Sequence, residues 1–200
     1  ALGSSRLARP DSKTLLMVGA GAMAPHLIRA HMSIRPSIQR IELWNRSSER
    51  RDQLIRSLRS EFDIVATDDL EQSVSTADII SCATMTKEPI VLGEWLSPGC
   101  HLDLVGAFMI DMRETDDIAM RRARIFVDSR ETTIGEIGEL EIPLSTGVIC
   151  EDDILADHYQ LSQGAHPGRT KQNEITIFKN GGGGHLDLMT ARYIYQKCRV

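Results

Sequence analysis

Thr14-Leu-Leu-Met-Val18 runs directly into Gly19-Ala-Gly-Ala-Met-Ala24, and this junction (TLLMVGAGAMA) decides the fold. The continuous apolar run predicts a strand buried on both faces. Leu27, Ile28 and His31 to Ile34 then follow at helical spacing as far as Pro36. Between them, Gly19-x-Gly21-x-x-Ala24 fits the pattern G-x-G-x-x-A. The first glycine permits a tight turn, the second lets backbone approach a pyrophosphate, and the small third residue lets helix pack on strand. The helix N-terminus adds N–H donors and partial positive charge. Strand, turn and helix in this order predict a dinucleotide site built from Gly19, Ala20, Gly21, Ala22, Met23 and Ala24.

Outward from this unit the alternation continues. Strands are expected at Ile38 to Trp44, Phe62 to Ala66, Asp78 to Ala83, His101 to Ala107 and Arg124 to Asp128. Helices are expected after Ser47 or Ser48 through Leu58, from Asp68 or Asp69 to Ser75, and from Asp116 to Arg122. Strand–helix alternation of this kind predicts an α/β, doubly wound parallel sheet of Rossmann type. Beyond Asp128 the pattern loosens, with a helical stretch at Thr132 to Leu140 and a further segment at Asp152 to Gln160. A strand at Glu174 to Phe178 and a helix at His185 to Lys197 flank Gly181 to Gly184. The expected division is a linker over 1–12 that ends a preceding domain, a dinucleotide-binding domain over 13–150, and a segment over 151–200 that completes the fold. The final strand and helix are assigned to a second domain.

Composition narrows the function classes. The 200 residues are 42% hydrophobic and 26% charged, with net charge −5. That balance is ordinary for a globular protein and lacks the basic face that nucleic acid requires. Two Trp, three Tyr and four Phe are too few for a base-stacking platform. No apolar run approaches a membrane span, so no membrane partner is expected. Cys82, Cys100, Cys150 and Cys198 lie far apart with no metal-ligand spacing, which predicts reduced thiols, a cytoplasmic setting and no metal site.

The end of the second strand carries Asn45-Arg46-Ser47 where NAD enzymes usually place an acid on the ribose 2′-hydroxyl. An acid would repel a 2′-phosphate. Arg46 can pair with one and Ser47 can donate a hydrogen bond, so NADP(H) is expected ahead of NAD(H). Ser47 can equally cap the helix that follows. Ala83-Thr84-Met85-Thr86 after the fourth strand passes over the ligand crevice, as do Val105, Gly106 and Phe108 after the fifth. His101, inside that strand, reads as a buried, satisfied histidine. Arg113 and Glu114 read as an ion pair or a helix start. Four successive glycines are entropically costly, and close approach to a planar ligand would require them. Gly182 and Gly183 are therefore candidate cofactor contacts. His185 and Asp187, in the first turn beyond, are the candidate catalytic residues.

Taken together, these segments resemble the ornithine cyclodeaminase/mu-crystallin family of NAD(P)-dependent proteins. The match is carried by Leu7-Ala-Arg-Pro-Asp11 leading into MVGAGAMA, Ala77-Asp-Ile-Ile with ATMTKEP, and Val105-Gly-Ala with MRETD. Phe126-Val-Asp-Ser-Arg130, Gly138-Glu139 and Glu174-Ile-Thr-Ile-Phe-Lys-Asn180 extend it. Cyclodeaminases of the family carry an aspartate after the Gly-Ala that matches Gly106-Ala107, and here that position is Phe108. The resemblance therefore implies the branch that reduces cyclic ketimines, Δ1-pyrroline-2-carboxylate or Δ1-piperideine-2-carboxylate, to L-proline or L-pipecolate. Its alternatives are ornithine cyclodeamination, an alanine dehydrogenase-like oxidoreduction, and non-catalytic binding of NADPH and small ligands. It also implies a homodimer. Finally, it implies a preceding substrate domain, which makes this chain the cofactor half of an enzyme.

Overall fold

A computed structural model describes residues 1–198, apart from the side chain of His185. Eight strands, β1 (Thr14–Val18), β2 (Arg40–Trp44), β3 (Ile64–Ala66), β4 (Ile79–Cys82), β5 (His101–Leu104), β6 (Ala123–Val127), β7 (Ile154–Asp157) and β8 (Ile175–Lys179), form one sheet. Its order is β3-β2-β1-β4-β5-β8-β6-β7, and every pairing is parallel. The helices are α1 (Leu2–Leu7), α2 (Ala24–Ile34), α3 (Ser48–Leu58), α4 (Leu70–Thr76), α5 (Asp117–Arg122), α6 (Arg130–Thr133), α7 (Gly138–Ser145), α8 (His158–Gln163) and α9 (Gly184–Cys198).

The alternating direction of strand side chains explains why β1 is apolar throughout. Leu16 and Val18 join Ile80, Cys82, Leu102 and Leu104 in one core. Leu15 and Met17 join Ile28, Ile41, Leu43 and Ile79 in the core on the opposite face. Helices cover both faces, and the polar side chains of Ser81 in β4 and His101 in β5 are fully buried with them. The strand order reverses between β1 and β4. In an open parallel sheet, the crevice outside the carboxyl ends of such a pair is where ligands bind. Among the described residues, no helix is long and apolar enough to cross a membrane, and no cluster could hold a metal ion.

Four details depart from the sequence expectations. The strand assigned to a second domain, β8, instead lies inside this sheet between β5 and β6, with its five residues all buried. The helix α9, in contrast, leaves Leu188, Met189, Tyr193, Ile194 and Tyr195 exposed. The stretch expected as a linker contains α1, whose Gly3 lies against the Phe178 ring; a Cβ there would stand 2.6 Å from it. The missing periodicity of α1 reflects packing through Gly3 and a single large apolar residue, Leu7, which is buried with Phe126, Ala156, Leu161 and Phe178, rather than through an apolar stripe. The helical stretch expected at Thr132 to Leu140 is two short helices, α6 and α7, separated at Gly135, which adopts φ +78°. Finally, Ile154–Asp157 is the edge strand β7, within a segment of no clear sequence pattern.

Candidate functional site

The turn after β1 has the conformation that the glycine pattern requires. Gly19 adopts φ +106°, and a Cβ on it would lie 2.7 Å from the Ala83 carbonyl oxygen at the end of β4. A Cβ on Gly21 would meet nothing within 4 Å. The two glycines thus serve different needs: the first a left-handed turn against a neighbouring strand, the second an open approach for a ligand. Ala24 is fully buried at the start of α2, where a larger side chain would push the helix off the sheet. The N-cap of α2, Met23, makes no side-chain capping bond, which leaves the helix N-terminus available to an anion.

Asn45 fixes the turn to the end of β2. Its side-chain oxygen accepts from Ala20 N at 3.0 Å, and its amide nitrogen donates to Ser47 O at 2.8 Å. Ser47 is the N-cap of α3, its hydroxyl oxygen accepting from Arg50 N at 3.4 Å. Capping uses that oxygen as an acceptor and leaves the hydroxyl proton to donate to a ligand. Arg46 and Arg50 are exposed and, among the described residues, neither pairs with a carboxylate.

A cavity of about 320 Å³ brings these parts together: it is lined by Gly19 to Gly21, Trp44 to Ser47, Arg50, Ala83 to Thr86 and Ile90. Arg50, Trp44 and Ile90 were not legible as site residues, whereas Thr86 ends the loop expected over the crevice. Ala22 borders a separate depression that also touches Ala20, Gly21 and Arg50. Met23, Ala24, Val105, Gly106, Phe108, Gly182, Gly183 and Asp187 do not line the cavity of Gly19 to Gly21 and Trp44 to Ser47.

Gly106 is nonetheless joined to it. The buried Glu114 carboxylate accepts from Thr84 N at 2.8 Å and Thr84 Oγ1 at 2.7 Å through one oxygen, and from Gly106 N at 2.8 Å through the other. Glu114 therefore does not pair with Arg113. The Arg113 guanidinium donates instead to Asp117 at 2.8 Å and to Thr115 O, so the two neighbouring side chains diverge. A second buried carboxylate, Glu139, accepts from Glu114 N, Thr115 N and the Thr115 hydroxyl at 2.5–2.9 Å. Burial, reinforced by Glu114, pushes the Glu139 carboxyl above its usual range. Lys179, also fully buried, donates to Ala107 O at 2.6 Å and Leu104 O at 3.3 Å; burial pulls its ammonium below the usual lysine range. Beyond this pinned corner Phe108 is 55% exposed.

The glycine run is anchored as well. Gly181 N and Gly182 N both donate to one Asp128 carboxylate oxygen at 2.9 Å, and Gly182 and Gly183 adopt φ of +72° and +131°. Asn180 donates to the buried Asp103 at 2.9 Å. Asp187 is exposed in the first turn of α9, and the side chain of His185 lies outside the described residues. His101 is fully buried, its Nδ1 2.9 Å from Thr176 Oγ1, and so does not face the crevice.

These parts fit a dinucleotide: an open glycine turn, an uncapped helix N-terminus, two arginines without carboxylate partners (Arg46 after β2 and Arg50 in the first turn of α3), and a cavity over the strand reversal. Known proteins point the same way. The chain is 51% identical over 194 residues to a Δ1-pyrroline-2-carboxylate reductase of Paracoccus denitrificans, covering 96% of this chain and 61% of the relative. It is 33% identical to the ketimine reductase mu-crystallin of Mus musculus, covering 98% of this chain and 58% of that protein. The structure of Thermococcus litoralis Δ1-pyrroline-2-carboxylate reductase in complex with NADH and L-proline superposes with a TM-score of 0.94 at 30% identity, over 98% of this chain and 61% of that one. The chain thus spans about three-fifths of the length of the relatives it matches. The ornithine cyclodeaminase/mu-crystallin family model matches residues 1–200 in full, and the chain belongs to that family.

Proposed function

We propose that this chain is the cofactor-binding part of an NADP(H)-dependent reductase of cyclic ketimine acids, with Δ1-pyrroline-2-carboxylate or Δ1-piperideine-2-carboxylate as substrate and L-proline or L-pipecolate as product. The observation that carries the reading is Phe108, exposed and apolar on the loop after β5, just beyond the corner pinned by Glu114 and Lys179. Deamination chemistry needs a carboxylate there to handle water and ammonia; a phenyl ring can only exclude water. The identity with reductases supports the same choice.

When bound, the cofactor supplies the hydride that reduces the C=N carbon. A protonated imine is already electrophilic, so no protein nucleophile is needed. The work left to the chain is binding, orientation and exclusion of water. The Gly19–Ala24 turn and the N-terminus of α2 would hold the pyrophosphate. Arg46, Ser47 and Arg50 would hold the 2′-phosphate, which favours NADP(H) over NAD(H). Thr84 and the Gly106–Phe108 corner would form the wall at the reacting end. Asp187, His185 and the backbone of Gly182 and Gly183 would face the substrate side. A cytoplasmic homodimer belongs to the same reading, supported by four free cysteines and the exposed apolar residues of α9.

Fluorescence titration of the chain with NADPH and NADH tests the cofactor assignment. A charge-assisted contact is worth roughly 1.5–3 kcal/mol, so Arg46→Ala should weaken NADPH about ten- to a hundredfold. NADH affinity should change little. Equal affinity for both nucleotides, unmoved by Arg46→Ala, would end the NADP(H) assignment. Absence of NADPH oxidation by the intact enzyme with either cyclic ketimine would end the substrate assignment.

A further inference from the structure

We propose that Glu114 is a positioning residue for the nicotinamide end of the cofactor, acting by tying the loop after β4 to the loop after β5. The inference rests on the cofactor reading above. One buried carboxylate here receives three donors from two loops: Thr84 N and Oγ1 on one side and Gly106 N on the other. The loops meet backbone to backbone, since a Cβ on Gly106 would lie 1.8 Å from Thr84 O and 2.2 Å from Thr84 N. Such an approach requires both a glycine and an acceptor for the N–H groups turned toward each other.

Two further contacts hold this joint in place. Glu139 accepts from the backbone nitrogen of Glu114 itself at 2.5 Å, which sets where the carboxylate starts. Lys179 grips Ala107 O at 2.6 Å, so the Gly106–Ala107 corner is held by an acceptor at one peptide and a donor at the next. Thr84 lines the cavity and Phe108 follows the corner, so the joint fixes the two side chains at the reacting end relative to each other. It also fixes the chemistry of Thr84. Its hydroxyl proton is committed to Glu114, so toward the cavity the oxygen presents lone pairs and can only accept from a ligand N–H or O–H.

The side chain has to be a carboxylate. In Glu114→Gln, one amide oxygen can serve Thr84, but the amide NH2 is then left facing the Gly106 N–H, donor against donor. The adenosine half of the cofactor, which would lie by Arg46 and Ser47, has no contact with this joint. The two halves of the ligand should therefore respond differently. In the chain as it stands, Glu114→Gln and Glu114→Ala should lower NADPH affinity by about tenfold or more while adenosine 2′,5′-bisphosphate binds within about twofold of wild type. Thr84→Val, which removes one of the three donors and leaves both backbone bonds, should shift NADPH affinity the same way by less and guards against a folding defect in the Glu114 variants. Equal losses for both ligands would make Glu114 a general fold residue, and unchanged NADPH affinity would make it irrelevant; either result overturns the proposal. A wild-type chain that binds neither ligand would overturn the cofactor reading itself, an outcome distinct from the other two.

Discussion

His101 shows what a buried titratable side chain costs when it has no part in the chemistry. Burial pushes its imidazole down to about 3, against an ordinary value near 6.5, and the nearby Asp103 only partly offsets this. Between those two values the unfolded chain binds a proton that the folded protein refuses. Stability therefore falls as pH drops below about 6.5 and is unaffected by this group above it. By pH 5 the loss from His101 should reach about 2 kcal/mol. Asp103 does not complicate that window: burial alone would raise its carboxyl, but the His31 hydrogen bond and neighbouring positive charge hold it below the usual range, and its unfolded value lies near 3.9. Urea unfolding midpoints at pH 7 and pH 5 should thus converge in His101→Gln relative to wild type. An undiminished pH difference would show that the ring titrates normally. His101 was legible from sequence as a core residue because it sits inside an apolar strand. Gly19 to Ala24 and Asn45 to Ser47 were legible because each is a contiguous motif. Glu114, Glu139 and Asp128 were not, since their partners lie 30, 25 and 53 residues away. No local pattern encodes such bonds.

At the scale of elements, N-caps differ by what else they hold. Asp69 caps α4 through Gln72 N at 2.9 Å, in an exposed setting. Asp116 caps α5 through Ala119 N at 2.9 Å and also accepts from Gly93 N at 2.7 Å, joining α5 to the turn Gly93–Trp95. Gly93 packs so closely on α5 that a Cβ would lie 2.1 Å from Ala119 N. Losing an ordinary cap costs about 1 kcal/mol, and orphaning a second buried N–H adds about 1–3. Asp116→Ala should therefore destabilise by about 2–4 kcal/mol and Asp69→Ala by about 1, read from denaturant midpoints. Equal effects would mean that the Gly93 bond contributes nothing. The starts of these helices were legible to within one residue, at Ser47 or Ser48, at Asp68 or Asp69 and at Asp116, because a capping residue type stands there; the structure makes Ser47, Asp69 and Asp116 the caps. The strand β7 was not legible, because in Ile154-Leu-Ala-Asp157 the buried residues Ile154 and Ala156 alternate with Leu155, itself apolar, so the alternation of burial does not show as an alternation of polarity. The helix α1 was missed for a related reason: its fit depends on distant partners, with Gly3 against Phe178 and Leu7 buried among Phe126, Ala156 and Leu161.

The whole molecule depends on a strand that arrives last. A parallel sheet was legible from the alternation of strands and helices, but strand order was not, because sequence order says nothing about where a returning strand inserts. β8 enters between β5 and β6, pairing Thr176 with His101 on one side and Arg124 on the other. Without it, two interior strands lose their neighbour and the β6–β7 pair is cut from the rest. Ile175, Ile177 and Phe178 are buried, at roughly 1.5–3 kcal/mol each, and Arg169 ties the preceding loop to Leu7, Cys100 and Glu174 carbonyls. Together these terms reach the 5–15 kcal/mol that stabilises a typical domain. The helix α9 is different, since its apolar residues are exposed and contribute little burial to the sheet. A chain ending at Gly183 should therefore unfold cooperatively within a few degrees of the 200-residue chain, retaining the Gly181 and Gly182 bonds to Asp128. A chain ending at Asn173 should show no cooperative thermal transition by circular dichroism. If the shorter chain still melted cooperatively near the same temperature, β5 and β6 would be stable without the strand between them, and β8 would be an addition to the sheet rather than its link.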